Sequence, residues 1–451
     1  MTAGKTVRFL GAALALVLAG CVGGDQTGIS WNPPGGWEES GTGVVDAFRM
    51  GRYEEALAKA QGFSEQGERV DRLRWQMEMI SNLLLGCDAE RAHRLMMSTR
   101  EDIELLFDPD SERKAVSLWH GEQAKAFKGD GWERATLYAL LALSCLDRGD
   151  WENAMRCAKN GLLSDSDSLT DAANADYALL PYLGYLAAQR AGADAEAKEF
   201  AAQYRNIIGE GIPQAAQAPD SLLLVWVGEG VTYKADGDYA QRRKVVEGAI
   251  EGRLESVGVT AGDGRTWYSL PAGIADLNAQ ARGRGPRQMD QVLQDKATTK
   301  AVLTNSGKGL LAVSAAMMVV GTSDLRLAVV LYPTAAATAL LGGGALLSGE
   351  AVVADADTRV WACLPGRLLV VPLRGAEGTV RVSGYMGWDE IYAEKLSLAA
   401  PRQNAIRVLH RSLLPERLAV HANWKRQVLD SVDELINAQK LPENENRMEI
   451  R

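Results

Sequence analysis

Between Gly43 and about Gly209 apolar residues recur at the three- and four-residue spacing of amphipathic helices, and the pattern itself repeats. Gly51-Arg-Tyr-Glu-Glu-Ala56 returns as Gly149-Asp-Trp-Glu-Asn-Ala154, and more loosely as Gly192-Ala-Asp-Ala-Glu-Ala197. A fourth pair is predicted over Leu73 to Met97, with Ala92 in the alanine position and Cys87 where the glycine stands elsewhere. In the middle copy Tyr138, Leu141 and Ala142 face the partner helix, Cys145 replaces an aromatic, and Ala158 and Gly161 lie on the inner face of the second helix. The alanines at 56, 92, 154 and 197 stand 36, 62 and 43 residues apart, so the array carries insertions. In a helix-pair stack Tyr53, Tyr138 and Trp151 are packing residues before they are anything else.

After Pro219 the pattern changes. Leu222 to Val227 is a short continuous apolar run ending at Gly228, which reads as a buried strand. Thr266 to Leu270, Arg367 to Leu373, Thr379 to Gly384 and Ala405 to His410 are further strand candidates. A helix is predicted from Pro286 through Met289, Val292, Leu293 and Lys296, since proline suits the first helical position. Leu310 to Ser323 and Leu327 to Ser348, separated by Asp324 and Arg326, are the most apolar stretches beyond the N-terminus. The first is 14 residues long, and Pro333 and Gly342 to Gly344 interrupt the second, whereas a membrane span needs roughly 20 apolar residues. They are expected as a helical hairpin buried against the sheet, with partial insertion into a membrane as the other reading.

The N-terminus carries a different signal. Lys5 and Arg8 precede an apolar run from Phe9 to Ala19, closed by the lipobox Leu18-Ala19-Gly20-Cys21. This order predicts export, cleavage before Cys21 and acylation of Cys21, and multiple acyl chains hold a protein at a bilayer durably. Val22 stands where an aspartate would often retain the chain in the inner membrane, so outer-membrane anchoring on the periplasmic face is expected. Val22 to Thr42, with Asn32, Pro33, Pro34, Gly35 and Gly36, is a tether too polar to order itself.

The predicted layout is a signal peptide over 1–20, the lipidated Cys and tether over 21–42, helices over 43–210, an α+β region over 211–410 and a tail over 411–451. The tail is expected to form a helix from Glu416 to Gln439 with Leu418, Trp424, Val428, Val432 and Leu435 on or near one face. The fold class is α+β: an all-α tetratricopeptide-like repeat domain, then a smaller α+β domain holding the buried apolar hairpin.

Charge narrows the partners. Of 451 residues 49 are basic and 58 acidic, and losing Lys5 and Arg8 leaves the exported chain near -11. Nucleic acid and an anionic headgroup surface are poor main partners for such a chain. Cys87, Cys145, Cys157 and Cys363 show no CxxC and no regular spacing, which excludes a disulfide framework. Cys145 and Cys157 flank one helix turn, so they are either small buried residues or a periplasmic disulfide. His93, His120, His410 and His421 lack metal-ligand spacing, and no metal or cofactor is expected.

Catalytic motifs fail on inspection. Gly228-Glu-Gly230 follows a strand, but Tyr233 occupies the third glycine position of a dinucleotide fingerprint. Gly307-Lys308 lacks the rest of a phosphate loop, and GxSxG is absent. Arg282, Arg284 and Arg287, interleaved with Gly283, Gly285 and Pro286, read as a solvated loop or as a contact to lipid phosphate or an anionic cell-wall polymer. The distinctive segment is Ala356-Asp-Thr-Arg-Val-Trp-Ala-Cys-Leu-Pro365. Extended, it places Asp357, Arg359 and Trp361 on one face, an ion pair capped by an aromatic, for structure or for recognition.

This ADxRxWxxLP pattern resembles the C-terminal signature of a functionally uncharacterised family of bacterial lipoproteins with tetratricopeptide-like N-terminal helices. Trp132-Glu133-Arg134 through Gly149-Asp150 and Ala154, Asn174 to Tyr185, and Val225 to Lys234 are similar to further motifs of that family, spanning about Gly43 to Gly384. The family's proline near Val231 is missing, and Trp388 onward has no counterpart. The resemblance implies an envelope lipoprotein with a repeat domain and supplies no catalytic residue. The expected function is a lipid-anchored periplasmic scaffold that binds an envelope partner protein through its repeats. The alternative is an enzyme or glycan-binding module acting on peptidoglycan or another polysaccharide, with Glu229, Asp357 and Asp389 as its acids.

Overall fold

A computed structural model describes residues 37–67, 69–105, 125–165, 176–246, 254–283, 288–323, 325–400 and 404–413. The lipobox with Cys21, the tether to residue 36, Arg284, Arg287, His120, His421 and the tail helix lie outside them.

Helices α1 (Trp37–Arg49), α2 (Tyr53–Gln66), α3 (Arg72–Leu85), α4 (Ala89–Leu105), α5 (Gly131–Arg148), α6 (Trp151–Asp165), α7 (Leu179–Ala191) and α8 (Asp194–Ile208) come first. The turns α1–α2, α3–α4, α5–α6 and α7–α8 are the same turn used four times. Gly51, Cys87, Gly149 and Gly192 sit there with φ of 70°, 64°, 73° and 72°, left-handed backbone that glycine adopts without cost. In each, the next N–H returns to the carbonyl five residues back: Arg52 to Ala47, Asp88 to Leu83, Asp150 to Cys145, Ala193 to Ala188. That closes the helix with its terminal carbonyls satisfied. The four alanines five residues after these turns, Ala56, Ala92, Ala154 and Ala197, are all buried. At Gly161 an added Cβ would stand 2.5 Å from the Leu180 side chain, so α6 approaches α7 closely, as an inner-face position requires.

Strand β1 (Ser221–Val227) pairs antiparallel with β6 (Arg367–Leu373) and parallel with β9 (Arg407–Leu413), giving the order β6-β1-β9. Because side chains alternate along a strand, the sheet has two apolar faces. Leu222, Leu224, Trp226, Leu368 and Val370 join the core of the helices. Leu223, Val225, Val227, Leu369 and Val371 meet a second sheet made of β4 (Ser256–Ala261), β5 (Thr266–Tyr268), β7 (Gly378–Met386) and β8 (Asp389–Leu398), in the order β5-β4-β7-β8. Burial on both faces explains why β1 reads as an unbroken apolar run. The helices and the three-stranded sheet therefore share one core. A charged hairpin, β2 (Thr232–Asp236) and β3 (Arg242–Val246), stands apart from these sheets.

Short α9 (Leu277–Gly283) precedes two long helices, α10 (Gln288–Ser323) and α11 (Leu325–Ala351), which pack along each other. The helix expected from Pro286 and the first apolar stretch are one element, and α11 runs through Pro333 and Gly342 to Gly344. Pairing with α10 outweighs the weak helix propensity of those residues. The expected burial does not extend to every described position, although Ser314 and Ala335 are buried. Leu340, Leu341 and Leu347 are 78 %, 68 % and 72 % exposed, and Val302 and Val313 are also exposed. The reason is placement: α10 touches β3, while the larger sheets are already covered by each other and by the helices. Among the described residues, no helix is long and apolar enough to cross a membrane.

Candidate functional site

Residues 352–366 link α11 to β6 without regular structure, and they carry the Asp357, Arg359 and Trp361 stripe. Arg359 donates from Nε and Nη2 to the two carboxylate oxygens of Asp357 at 2.8 and 2.7 Å. Its Nη1 reaches Asp71 Oδ1 at 2.9 Å, and Nη2 also donates to the Lys125 carbonyl at 2.9 Å. One guanidinium thus ties the segment to the start of α3 and to the loop before α5. Burial would raise the Asp357 pKa, but the adjacent Arg359 charge and hydrogen bonds outweigh it and hold the carboxyl below its ordinary value.

The expected ion pair is present, but its aromatic neighbour is Phe127, whose ring centroid lies 5.7 Å from the guanidinium carbon. Trp361 turns elsewhere. The Arg359 N–H also bonds to Asp357 Oδ1 at 3.0 Å, which holds the carboxylate against its partner. Trp361 is instead fully buried, its indole N–H donating to Ser81 Oγ on α3 at 2.9 Å.

Two buried glutamates hold the following backbone. Glu133, in the first turn of α5, accepts the Trp361 N–H at 2.5 Å and the Asp130 N–H at 2.6 Å. Glu78, on α3, accepts the Ala362 and Cys363 N–H groups, both at 2.8 Å. Burial, reinforced by the nearby Asp130, pushes the Glu133 carboxyl up to about 8, and burial likewise raises Glu78. These helix faces therefore already grip a peptide segment, and that segment is the chain's own. Sequence reasoning did not single out either glutamate as a site. Glu78 carried the available signal, being a charge set among Trp75, Met77, Met79 and Ile80 on a helix with little polar surface.

Beside this junction lies a cavity of about 130 Å³ bounded by residues 125–130, Arg134, Arg243, Asp357 and Arg359. Asp130 caps α5 there. It accepts from Arg243 at 2.5 Å and from the Tyr233 hydroxyl at 2.9 Å, while Arg243 lies over the Tyr233 ring at 4.1 Å. Trp132 donates in turn to the Tyr233 oxygen at 3.1 Å. The lining is polar and predominantly cationic, suited to holding negative charge.

The other sequence candidates disperse. Glu229 pairs with Arg49 at 3.0 Å, Asp389 is exposed at the start of β8, and of these two and Asp357 only Asp357 lines the cavity. A cleft with paired glycosidase acids is not what these three residues form. Gly228-Glu-Gly230 packs on the chain itself, where a Cβ on Gly230 would meet the Leu364 carbonyl at 2.6 Å. Arg282 donates to the Asn278 carbonyl. His93 Nδ1 lies 3.0 Å from Ser144 Oγ, a pairing across α4 and α5 that sequence spacing did not reveal. His410 is partly buried and accepts the Trp226 indole N–H at 3.1 Å, and desolvation pushes its pKa down to about 4. Cys145 and Cys157 are buried free thiols in mutual contact, the hydrogen bond to Cys157 and burial both keeping Cys145 protonated. Among the described residues no His, Cys, Asp and Glu groups gather as a metal site. No protein-family model, curated protein or solved structure matches this chain, so its function is argued from its own residues.

Proposed function

We propose that this chain is a lipid-anchored adaptor of the bacterial envelope, acylated at Cys21, held on the periplasmic face of the outer membrane, and binding a partner protein. The four helix pairs are read as tetratricopeptide-like units with insertions. Their recurrent left-handed turns and buried alanines support that reading. The observation that carries the adaptor function is the paired helices α10 and α11, whose Leu340, Leu341 and Leu347 are exposed. Apolar surface of this kind, among the described residues of the helix pair, is what a protein-binding arm presents. The faces of α3 and α5 that bear Glu78, Ser81 and Glu133 hold residues 361–363, so partner contact falls on the arm and on the outward helix faces.

A photo-crosslinking residue at position 341, compared with one at exposed Lys234, tests this in intact cells. One dominant adduct specific to position 341 is expected. No adduct, or the same set from both positions, contradicts the adaptor reading.

A further inference from the structure

The four-stranded sheet turns Val257, Val259, Val380 and Val382 toward the three-stranded one and its other face toward water. Residues opposite each other on antiparallel strands share a face, so the register sets Tyr268, Gly258 and Ser383 in one row of that outer face, with Ser256 and Tyr385 in the next. Gly258 and Ser383 are nevertheless buried, because aromatic rings close over the glycine. A Cβ on Gly258 would stand 3.1 Å from Tyr385 Cε2 and 3.4 Å from Tyr268 Cε1, so glycine lets both rings settle low on the sheet. The two tyrosines rise from strands two places apart, about 10 Å between backbones. At the end of the row the β7–β8 turn holds a third aromatic. Gly387, at φ 58°, donates its N–H to Glu255 Oε2 at 3.1 Å, and Trp388 next to it is wholly exposed. Tyr268 is 63 % exposed, and Met386 is exposed as well.

Trp388, Tyr268 and Met386 together show on the order of 400 Å² of surface, at about 150–250 Å² for a whole aromatic side chain. A patch of that size marks a functional surface, yet it is about half of the roughly 800 Å² that each partner gives to a stable protein complex. It matches a narrow ligand lying across the strands. The charges on this face are of both signs, with Arg381 paired to Glu390 and Lys395 opposite Arg381 on β8, so the face complements an uncharged ligand. Hydroxyls stand among them: the Thr260 and Thr266 oxygens lie 3.2 Å apart, and Ser383 Oγ accepts from Arg381 Nε at 3.3 Å. Pyranose rings with equatorial substituents carry C–H bonds on their flat faces, which meet the electron-rich face of an aromatic ring, and hydroxyls at their rims. We infer that this outer sheet face binds an uncharged β-linked glycan, whose flat ribbon lies along Tyr268, Tyr385 and Trp388. An anionic bilayer surface is the poorer occupant for a chain of formal charge -9. Glycan capture here is additional to partner binding by α10 and α11 and uses none of their residues.

Isothermal titration calorimetry of the purified full-length protein with cellotetraose and with tetra-N-acetylchitotetraose, against α-linked maltotetraose, tests this. Saturable binding of a β-linked tetrasaccharide is expected, at least tenfold tighter than that of maltotetraose. Affinity is expected to fall at least threefold in Trp388→Ala, which removes a wholly exposed side chain, and at least tenfold when Tyr268→Ala is added. Met50→Ala, an exposed apolar change on the α1–α2 turn, is expected to bind as the wild type does. No saturable binding of either β-linked tetrasaccharide overturns the inference, and so does equal affinity for maltotetraose. Affinity retained in Trp388→Ala, or lost equally in Met50→Ala, overturns it as well. Sedimentation with phosphatidylglycerol vesicles that requires Trp388, without saccharide binding, assigns the face to a membrane and overturns it too.

Discussion

Arg359 is the residue on which the junction between helices and strands turns. It donates to Asp357, Asp71 and the Lys125 carbonyl at once, and the three charged side chains are buried. Removing one member of a buried ion cluster leaves the others desolvated and unpaired, which costs about 3–5 kcal/mol. Arg359→Met is therefore expected to lower the unfolding free energy from urea denaturation by that amount, and adding Asp357→Asn and Asp71→Asn to recover part of the loss. Glu133 makes a pH prediction. Its pKa is raised from an ordinary value of 4.5 to about 8, so its contribution to stability is fully present below about pH 4.5 and is lost as pH rises through 8. Glu133→Gln, which resembles the protonated acid, is expected to flatten the fall in urea stability over that window, a fall of at most about 1.4 kcal/mol per pH unit. An unchanged pH profile in the variant would show that the carboxyl titrates elsewhere. Of this junction the sequence revealed the Asp357–Arg359 pair, because residues of opposite charge two apart share one face of an extended segment. It did not reveal Asp71 as a partner of Arg359, or Glu78 and Glu133 as acceptors of the backbone N–H groups of residues 361–363, because those contacts join residues more than 200 positions apart.

At the scale of elements, the four equivalent turns allow a graded test. Cys87 holds a left-handed conformation that disfavours a side chain by roughly 1–2 kcal/mol, so Cys87→Gly is expected to stabilise the protein by about 0.5–1 kcal/mol after the entropy glycine adds to the unfolded chain. Gly192→Ala, with open space around its Cβ, is expected to cost about 1 kcal/mol. Gly149→Ala is expected to cost more, since its Cβ would stand 2.1 Å from the Asn404 carbonyl, on the approach to β9. Thermal denaturation of the three variants gives the order directly, and an equal effect at Gly149 and Gly192 would remove the steric part of the argument. The pairs themselves were legible because the Gly-x-aromatic pattern is local. Strands β1 and β6 were legible for the same reason, each being a continuous apolar run. Strands β2, β3 and β8 were not, since Lys234, Arg242, Arg243, Glu394 and Lys395 interrupt any simple alternation on strands with at least one face toward water.

At the scale of the whole molecule, a body in which helices and the three-stranded sheet share a core carries the helix pair α10 and α11, and the proposed function adds an acyl anchor at Cys21. The arm's exposed leucines contribute little to the fold, so Leu340→Gln, Leu341→Gln and Leu347→Gln together are expected to shift stability by about 0.5 kcal/mol or less each while removing the crosslinked partner. The length of the arm was not legible, because Pro333 and the three glycines signal interruptions that packing overrides. The anchor is the part from which the cellular setting follows. Metabolic labelling of the producing bacterium with an alkyne fatty acid, followed by capture of the wild-type chain and of Cys21→Ala, measures it directly. The account predicts a labelled, processed wild-type chain in the outer-membrane fraction and an unlabelled Cys21→Ala chain. An unlabelled, unprocessed wild-type chain in the cytosol would contradict it.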